Sequence, residues 1–139
     1  MERVVITTGP EETVRLGEEL AHELRDGDVV ALVGELGAGK TTLVKGIAQG
    51  LFVKELVVSP SFVLARTYAG RCPLHHLDAY RLTDSAELAE VGLLDLLPPE
   101  EGVTVVEWAD RIVELIPGGA WWAQLELLGG DRRRITLRR

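Results

Sequence analysis

Five consecutive apolar residues, Val29-Val30-Ala31-Leu32-Val33, run into a glycine-rich octapeptide, Gly34-Glu35-Leu36-Gly37-Ala38-Gly39-Lys40-Thr41. Leu43, Ile47 and Leu51 then recur at helical spacing. An unbroken apolar run of strand length reads as a strand covered on both faces. A buried strand, a glycine loop and an amphipathic helix in that order predict an α/β layer architecture with a largely parallel sheet.

The rest of the chain fits that frame. Val4-Val5-Ile6 predicts a first strand, and a helix is expected from Pro10 to Arg25, with Val14, Gly17, Ala21 and Leu24 as its buried stripe. Further strands are expected at Phe62 to Tyr68, Leu74 to Leu77 and Val103 to Val106. Helices are expected at Ser85 to Leu97, broken near Gly92, and at Ala109 to Ile116. Trp121 to Leu128 and Arg133 to Leu137 predict a closing antiparallel hairpin around Gly129-Gly130. With no linker or repeat, residues 1–139 read as a single domain.

The octapeptide matches G-x-x-x-x-G-K-[ST], set between strand and helix as that pattern requires. Gly34, Gly37 and Gly39 let the main chain approach an anion closely. The backbone N–H groups of Glu35, Leu36, Ala38 and their neighbours then form a concave anion site, and the following helix adds positive potential at its start. Lys40 supplies a full charge for the β- and γ-phosphates, the Thr41 hydroxyl can ligate magnesium, and Thr42 completes the phosphate-facing helix start. The chain is thus read as a P-loop protein binding ATP and Mg2+. Guanine-reading proteins of this type use an Asn-Lys-x-Asp motif, and the sequence has no asparagine, so adenine is favoured by exclusion. Thr8 and Glu11 are candidate neighbours of the base.

Such a site needs a carboxylate at the end of a neighbouring buried strand. Asp78 follows Leu74-His75-His76-Leu77, and Glu107 follows Val103-Thr104-Val105-Val106. Either could hold magnesium directly or through water, and the other could orient the attacking water. The catalytic candidates are therefore Lys40, Asp78 and Glu107. Ser59 and Ser61, in Ser59-Pro60-Ser61-Phe62, are candidate switch hydroxyls, and Trp108 stands at the mouth of the site. His75 and His76 are adjacent, so in a strand they point to opposite faces, which is poor geometry for a shared metal.

Net charge is −7, which disfavours autonomous nucleic-acid binding. Five of the last eight residues are arginine (Arg132, Arg133, Arg134, Arg138 and Arg139), read as a solvated strand and tail or as a docking surface. Charges interrupt every apolar run short of a membrane span, no signal peptide is evident, and Cys72 is the only cysteine. A cytoplasmic location is expected.

Four segments taken together carry a resemblance. Gly34 to Thr42, Ser59-Pro60-Ser61-Phe62, His76-Leu77-Asp78-Ala79-Tyr80-Arg81 and Val106-Glu107-Trp108 are similar in order and spacing to the TsaE (YjeE) family, and Glu12-Thr13 before a Leu-Gly helix looks like it too. The resemblance spans about residues 7 to 137. It implies a P-loop ATPase of bacterial tRNA modification, with an accessory role in threonylcarbamoylation of the adenosine beside the anticodon. TsaB- and TsaD-type proteins would be its partners, and tRNA would be reached only through them. By the same resemblance Lys40 and Thr41 bind phosphate and magnesium, Glu107 is a magnesium ligand and Asp78 is a Walker-B-like or water-orienting acid. Ser59 and Ser61 belong to a switch loop, and Trp108 lies near the nucleotide. Ser61 stands where the family usually has threonine.

Arg66, Arg71, Arg81 and Arg111 are candidate arginine fingers in cis; a partner could equally supply one. Slow turnover in isolation is the expectation. A small-molecule kinase on the same core is the competing reading, but the acidic stretch from Thr83 to Glu101 has no arginine and makes a poor lid. A module that binds nucleotide without turnover is a third.

Overall fold

In the computed structural model, which describes residues 1–60, 64–82, 84 and 86–139, the sheet is the organising element. Among those residues it has seven strands: β1 (Glu2–Thr7), β2 (Val29–Gly34), β3 (Ala65–Tyr68), β4 (Leu74–Asp78), β5 (Val103–Glu107), β6 (Trp121–Gly129) and β7 (Arg132–Arg138). Their order across the sheet is β1-β7-β6-β2-β5-β4-β3. The central pairings, β6 with β2, β2 with β5 and β5 with β4, are parallel. The outer ones are antiparallel, including the C-terminal hairpin. The expected α/β architecture, parallel in its centre with a closing hairpin, is what the chain adopts.

Strand alternation gives the sheet two apolar faces. On one, Val30, Leu32, Leu74, Val103, Val105, Trp121, Ala123 and Leu125 pack under helices α1 (Pro10–Ala21) and α2 (Lys40–Gly50). On the other, Ala31, Leu77 and Val106 pack against the short helix α3 (Ala86–Glu90) and a 3-10 segment, Ala109–Leu115. The result is three layers around two cores.

Helices α1 and α2 approach closely because both carry glycine at the crossing. A Cβ on Gly46 would stand 2.1 Å from the Val14 carbonyl oxygen, and one on Gly17 would stand 2.5 Å from that of Leu43. This contact fixes where α2, and hence its first turn, lies over the sheet.

Several boundaries differ from expectation. Helix α1 stops at Ala21 rather than Arg25, because its last amides turn to i−3 partners, as in Glu23 N–H to Leu20 O at 2.9 Å. Its buried stripe is Thr13, Leu16, Gly17, Leu20 and Ala21, while Val14 is only half-buried. The expected helix from 109 to 116 is a 3-10 segment, kinked at Ile112 (φ −136°) and entered from a left-handed Trp108 (φ 58°). The expected helix from 85 to 97 is α3 followed by a 3-10 turn at Leu94–Leu96, with the break falling at Gly92 (φ 77°) as its position suggested. The strand beginning at Phe62 is seen from Ala65; Phe62 itself lies outside the described residues. No helix among the described residues is long and apolar enough to cross a membrane.

Candidate functional site

The C-terminal ends of β2, β5 and β4 line up. Leu32 is level with Glu107, and Glu107 with Asp78. Parallel strands in register send equivalent side chains to the same face. Glu107 and Asp78 therefore point together to the side covered by α2, and both are buried.

The glycine-rich loop leaves β2 at Gly34 and delivers the chain to α2 at Lys40. Gly39 caps the helix with φ 101° and Gly37 has φ 81°, angles that a side chain would strain. With no side chain capping α2, its first amides stay available to an anion. Leu36, at the crest, is exposed, and Ala38 is fully buried.

Lys40 folds back over this loop. Its Nζ donates to the carbonyls of Gly34 (2.6 Å) and Glu35 (2.8 Å), and it lies 4.0 Å from the centroid of the Trp108 ring. Burial lowers the pKa of this amine, and the nearby charges of Glu107, Asp110 and Asp78 partly restore it. Trp108 packs in turn against Tyr80, with ring centroids 4.8 Å apart, and Arg111 sits 5.2 Å over the Tyr80 ring.

The Thr41 hydroxyl is 3.0 Å from each carboxylate oxygen of Glu107. Asp78 accepts from the Ser59 hydroxyl at 3.3 Å and from the Tyr80 amide at 2.9 Å. A cleft of about 430 Å³ opens over these groups, lined by Lys40, Thr41, Thr42, Ser59, Asp78, Arg81, Glu107 and Trp108 among others. The converging donors are oxygens, the set a hard divalent cation such as magnesium prefers. Among the described residues no three His, Cys, Asp or Glu side chains converge as a self-sufficient metal cage. Thr41 and Glu107 would instead share a cation with phosphate oxygens.

The sequence-predicted loop, Lys40, Thr41, Thr42, Ser59, Asp78, Glu107 and Trp108 are thus brought together, while Ser61 lies outside the described residues. Two residues named in the sequence reading, but not as members of the site, also take part. His76 is fully buried, with Nε2 2.6 Å from Glu107 Oε2. Its spacing of two from Asp78 put both on one strand face, a signal present in the sequence. Arg133 reaches from β7 to the carbonyl of Gly37 at 3.1 Å, a long-range contact with no local signal. Among the candidate fingers, Arg71 is not at the site. It donates to the carbonyls of Ala21 and Leu24, tying down the end of α1. The terminal arginines are largely committed within the chain: Arg134 to Glu126, Arg138 to Glu2 and Arg139 to Asp28.

A helix-covered sheet, parallel at its centre, with a glycine loop and two acids at the strand ends, defines a protein of the P-loop NTPase-type α/β class. The family within that class comes from comparison. A family model described as "Threonylcarbamoyl adenosine biosynthesis protein TsaE" matches residues 7–135, and the chain belongs to the TsaE family. The Bacillus subtilis (strain 168) protein named "tRNA threonylcarbamoyladenosine biosynthesis protein TsaE" is 41% identical over 131 residues, covering 94% of this chain and 81% of that one. A Mycobacterium tuberculosis (strain H37Rv) protein of the same name is 47% identical over 134 residues, covering 91% and 80%. The crystal structure of Bacillus subtilis YdiB superposes with a TM-score of 0.80 at 35% identity, covering 99% of this chain and 84% of that one.

Proposed function

We propose that this chain is a magnesium-dependent, slowly turning over ATPase of the cytoplasm. In this reading it serves the formation of threonylcarbamoyladenosine in tRNA by acting as a nucleotide-dependent switch on a TsaB–TsaD-type assembly. The family membership supports the pathway. The observation that carries the chemistry is the convergence of Lys40, Thr41, Asp78 and Glu107 from three separate elements on one cleft.

The loop amides and the start of α2 bind the phosphates, and Lys40 exchanges its carbonyl partners for phosphate oxygens. Thr41 and Glu107 would hold a magnesium ion, whose charge would stabilise the phosphates. Asp78, steadied by Ser59 and the Tyr80 amide, would orient the attacking water. A small cleft past the other flank of the loop, lined by Gly9, Pro10, Thr13, Gly39, Thr42 and Arg133, is the proposed place for the base. Thr8, a sequence candidate for the base, is turned instead to Glu12. With net charge −7, contact with tRNA is left to the partners.

The test is a reconstituted tRNA-modification assay with and without this chain, and with Lys40→Ala, Asp78→Ala and Glu107→Ala. Multiple-turnover modification should depend on the wild-type chain and fall with each variant. Unchanged modification when the chain is omitted would overturn the proposal, as would phosphorylation of a metabolite by the chain alone.

A further inference from the structure

His76 is a fully buried polar side chain that does not line the cleft. Its Nδ1 is buried and has no hydrogen-bond partner among the described residues. Among the described residues its one polar tie is the 2.6 Å contact between Nε2 and Glu107 Oε2. A carboxylate only accepts, so Nε2–H is the donor. Burying an imidazole whose second nitrogen is unsatisfied costs free energy that an apolar residue of similar size would not. The single hydrogen bond is what the fold obtains in exchange.

That bond is well placed to matter. Glu107 Oε2 is held by His76 from within the sheet, while both carboxylate oxygens also face the Thr41 hydroxyl at 3.0 Å. His76 stands on β4 and Glu107 on β5, so the bond spans neighbouring strands whose register is fixed by the parallel ladder. A carboxylate pinned from behind cannot rotate away, and its remaining lone pairs stay aimed at the cleft. Hydrogen bonds to ligating side chains tune metal sites in this way.

We infer that His76 is a positioning residue that locks the Glu107 carboxylate in the orientation needed to bind a divalent cation beside the nucleotide phosphates. The inference rests on the reading of Glu107 as a cation ligand, and the experiment separates the two. Mn2+ is titrated into the protein saturated with a non-hydrolysable ATP analogue, and free Mn2+ is followed by electron paramagnetic resonance. The comparison is among wild type, His76→Leu, His76→Gln and Glu107→Gln, with analogue affinity also measured without metal. His76→Leu should weaken Mn2+ binding about 10- to 100-fold. Its metal-free affinity for the analogue should not change, and His76→Gln, which keeps a donor near the Nε2 position, should recover most of the loss.

Wild-type Mn2+ affinity in His76→Leu, alongside a weakened Glu107→Gln, would overturn the inference alone. An equal loss of metal-free analogue affinity in His76→Leu would overturn it too, since the role would then be structural. A silent Glu107→Gln would bring down the cation reading of Glu107 and the inference with it. If the leucine variant does not fold, His76→Gln and His76→Asn decide the matter. A shorter amide that binds Mn2+ as tightly as the longer one and the wild type would refute the positioning role.

Discussion

Lys40 shows how much one residue's setting controls its use. A lysine this buried is costly to charge, and the fold compensates with two carbonyls, an aromatic face and nearby carboxylates. If Lys40 is to contact bound phosphate as proposed, it would exchange these partners and move relative to Trp108. Nucleotide addition should therefore change the emission of Trp108, and Trp108→Phe should abolish that change although Trp121 and Trp122 remain. An unchanged spectrum on saturation of the wild type would count against the rearrangement. Lys40, Thr41, Asp78 and Glu107 were legible in the sequence because motif spacing and strand-end position are local facts. The roles of His76 and Arg133 were not, because each is defined by a neighbour far along the chain: Glu107 for one and Gly37 for the other.

Among the elements, α1 and α2 are the pair that aims the loop. Gly46→Ala would drive a methyl group into the Val14 carbonyl. Separating the helices should cost on the order of 3 kcal/mol, read as a lowered unfolding midpoint in urea, whereas Gly118→Ala, with open space around it, should cost far less. At the start of α1, Glu12 accepts from the Thr8 amide and hydroxyl, at 2.6 and 2.8 Å, and these bonds lower its pKa. The folded chain thus holds this proton less tightly than the unfolded one. The resulting stability is present above the ordinary glutamate pKa and is lost as pH falls through the lowered folded value. Glu12→Gln should be less stable than wild type at neutral pH, with the gap closing in acid; a gap independent of pH would refute the linkage. The strands and the starts of α1 and α2 were legible from apolar runs, Pro10 and the loop. The end of α1 was not, nor the 3-10 character of the segment after Trp108: they depend on tertiary ties such as Arg71 to Ala21 and Leu24, and on the left-handed turn at Trp108, which propensity does not reveal.

At the scale of the whole molecule, parallel strand order does the assembling. The segments bearing Thr41, Asp78 and Glu107 are far apart in sequence, yet β2, β5 and β4 lie side by side and end together. The closing hairpin extends the sheet on the other flank, and Arg133 returns from it to brace the loop, so the last strand contributes to the site formed by the second. The alternation of strand and helix signals was enough to predict this class of sheet. It could not predict that the first strand would close the far edge against the last, because that pairing joins the two ends of the chain. Nor could composition show that most terminal arginines are neutralised by acids of the same molecule.

The account depends on one event, capture of a magnesium-bound triphosphate by the loop between β2 and α2. Titration calorimetry with a non-hydrolysable ATP analogue tests it directly, comparing wild type with Lys40→Ala, each with magnesium and with chelator. The account predicts saturable one-to-one binding by the wild type that weakens when magnesium is removed. Lys40→Ala should lose roughly a hundredfold in affinity, the scale of a strong charge-assisted contact. Equal binding by both proteins, or none by the wild type, would contradict it.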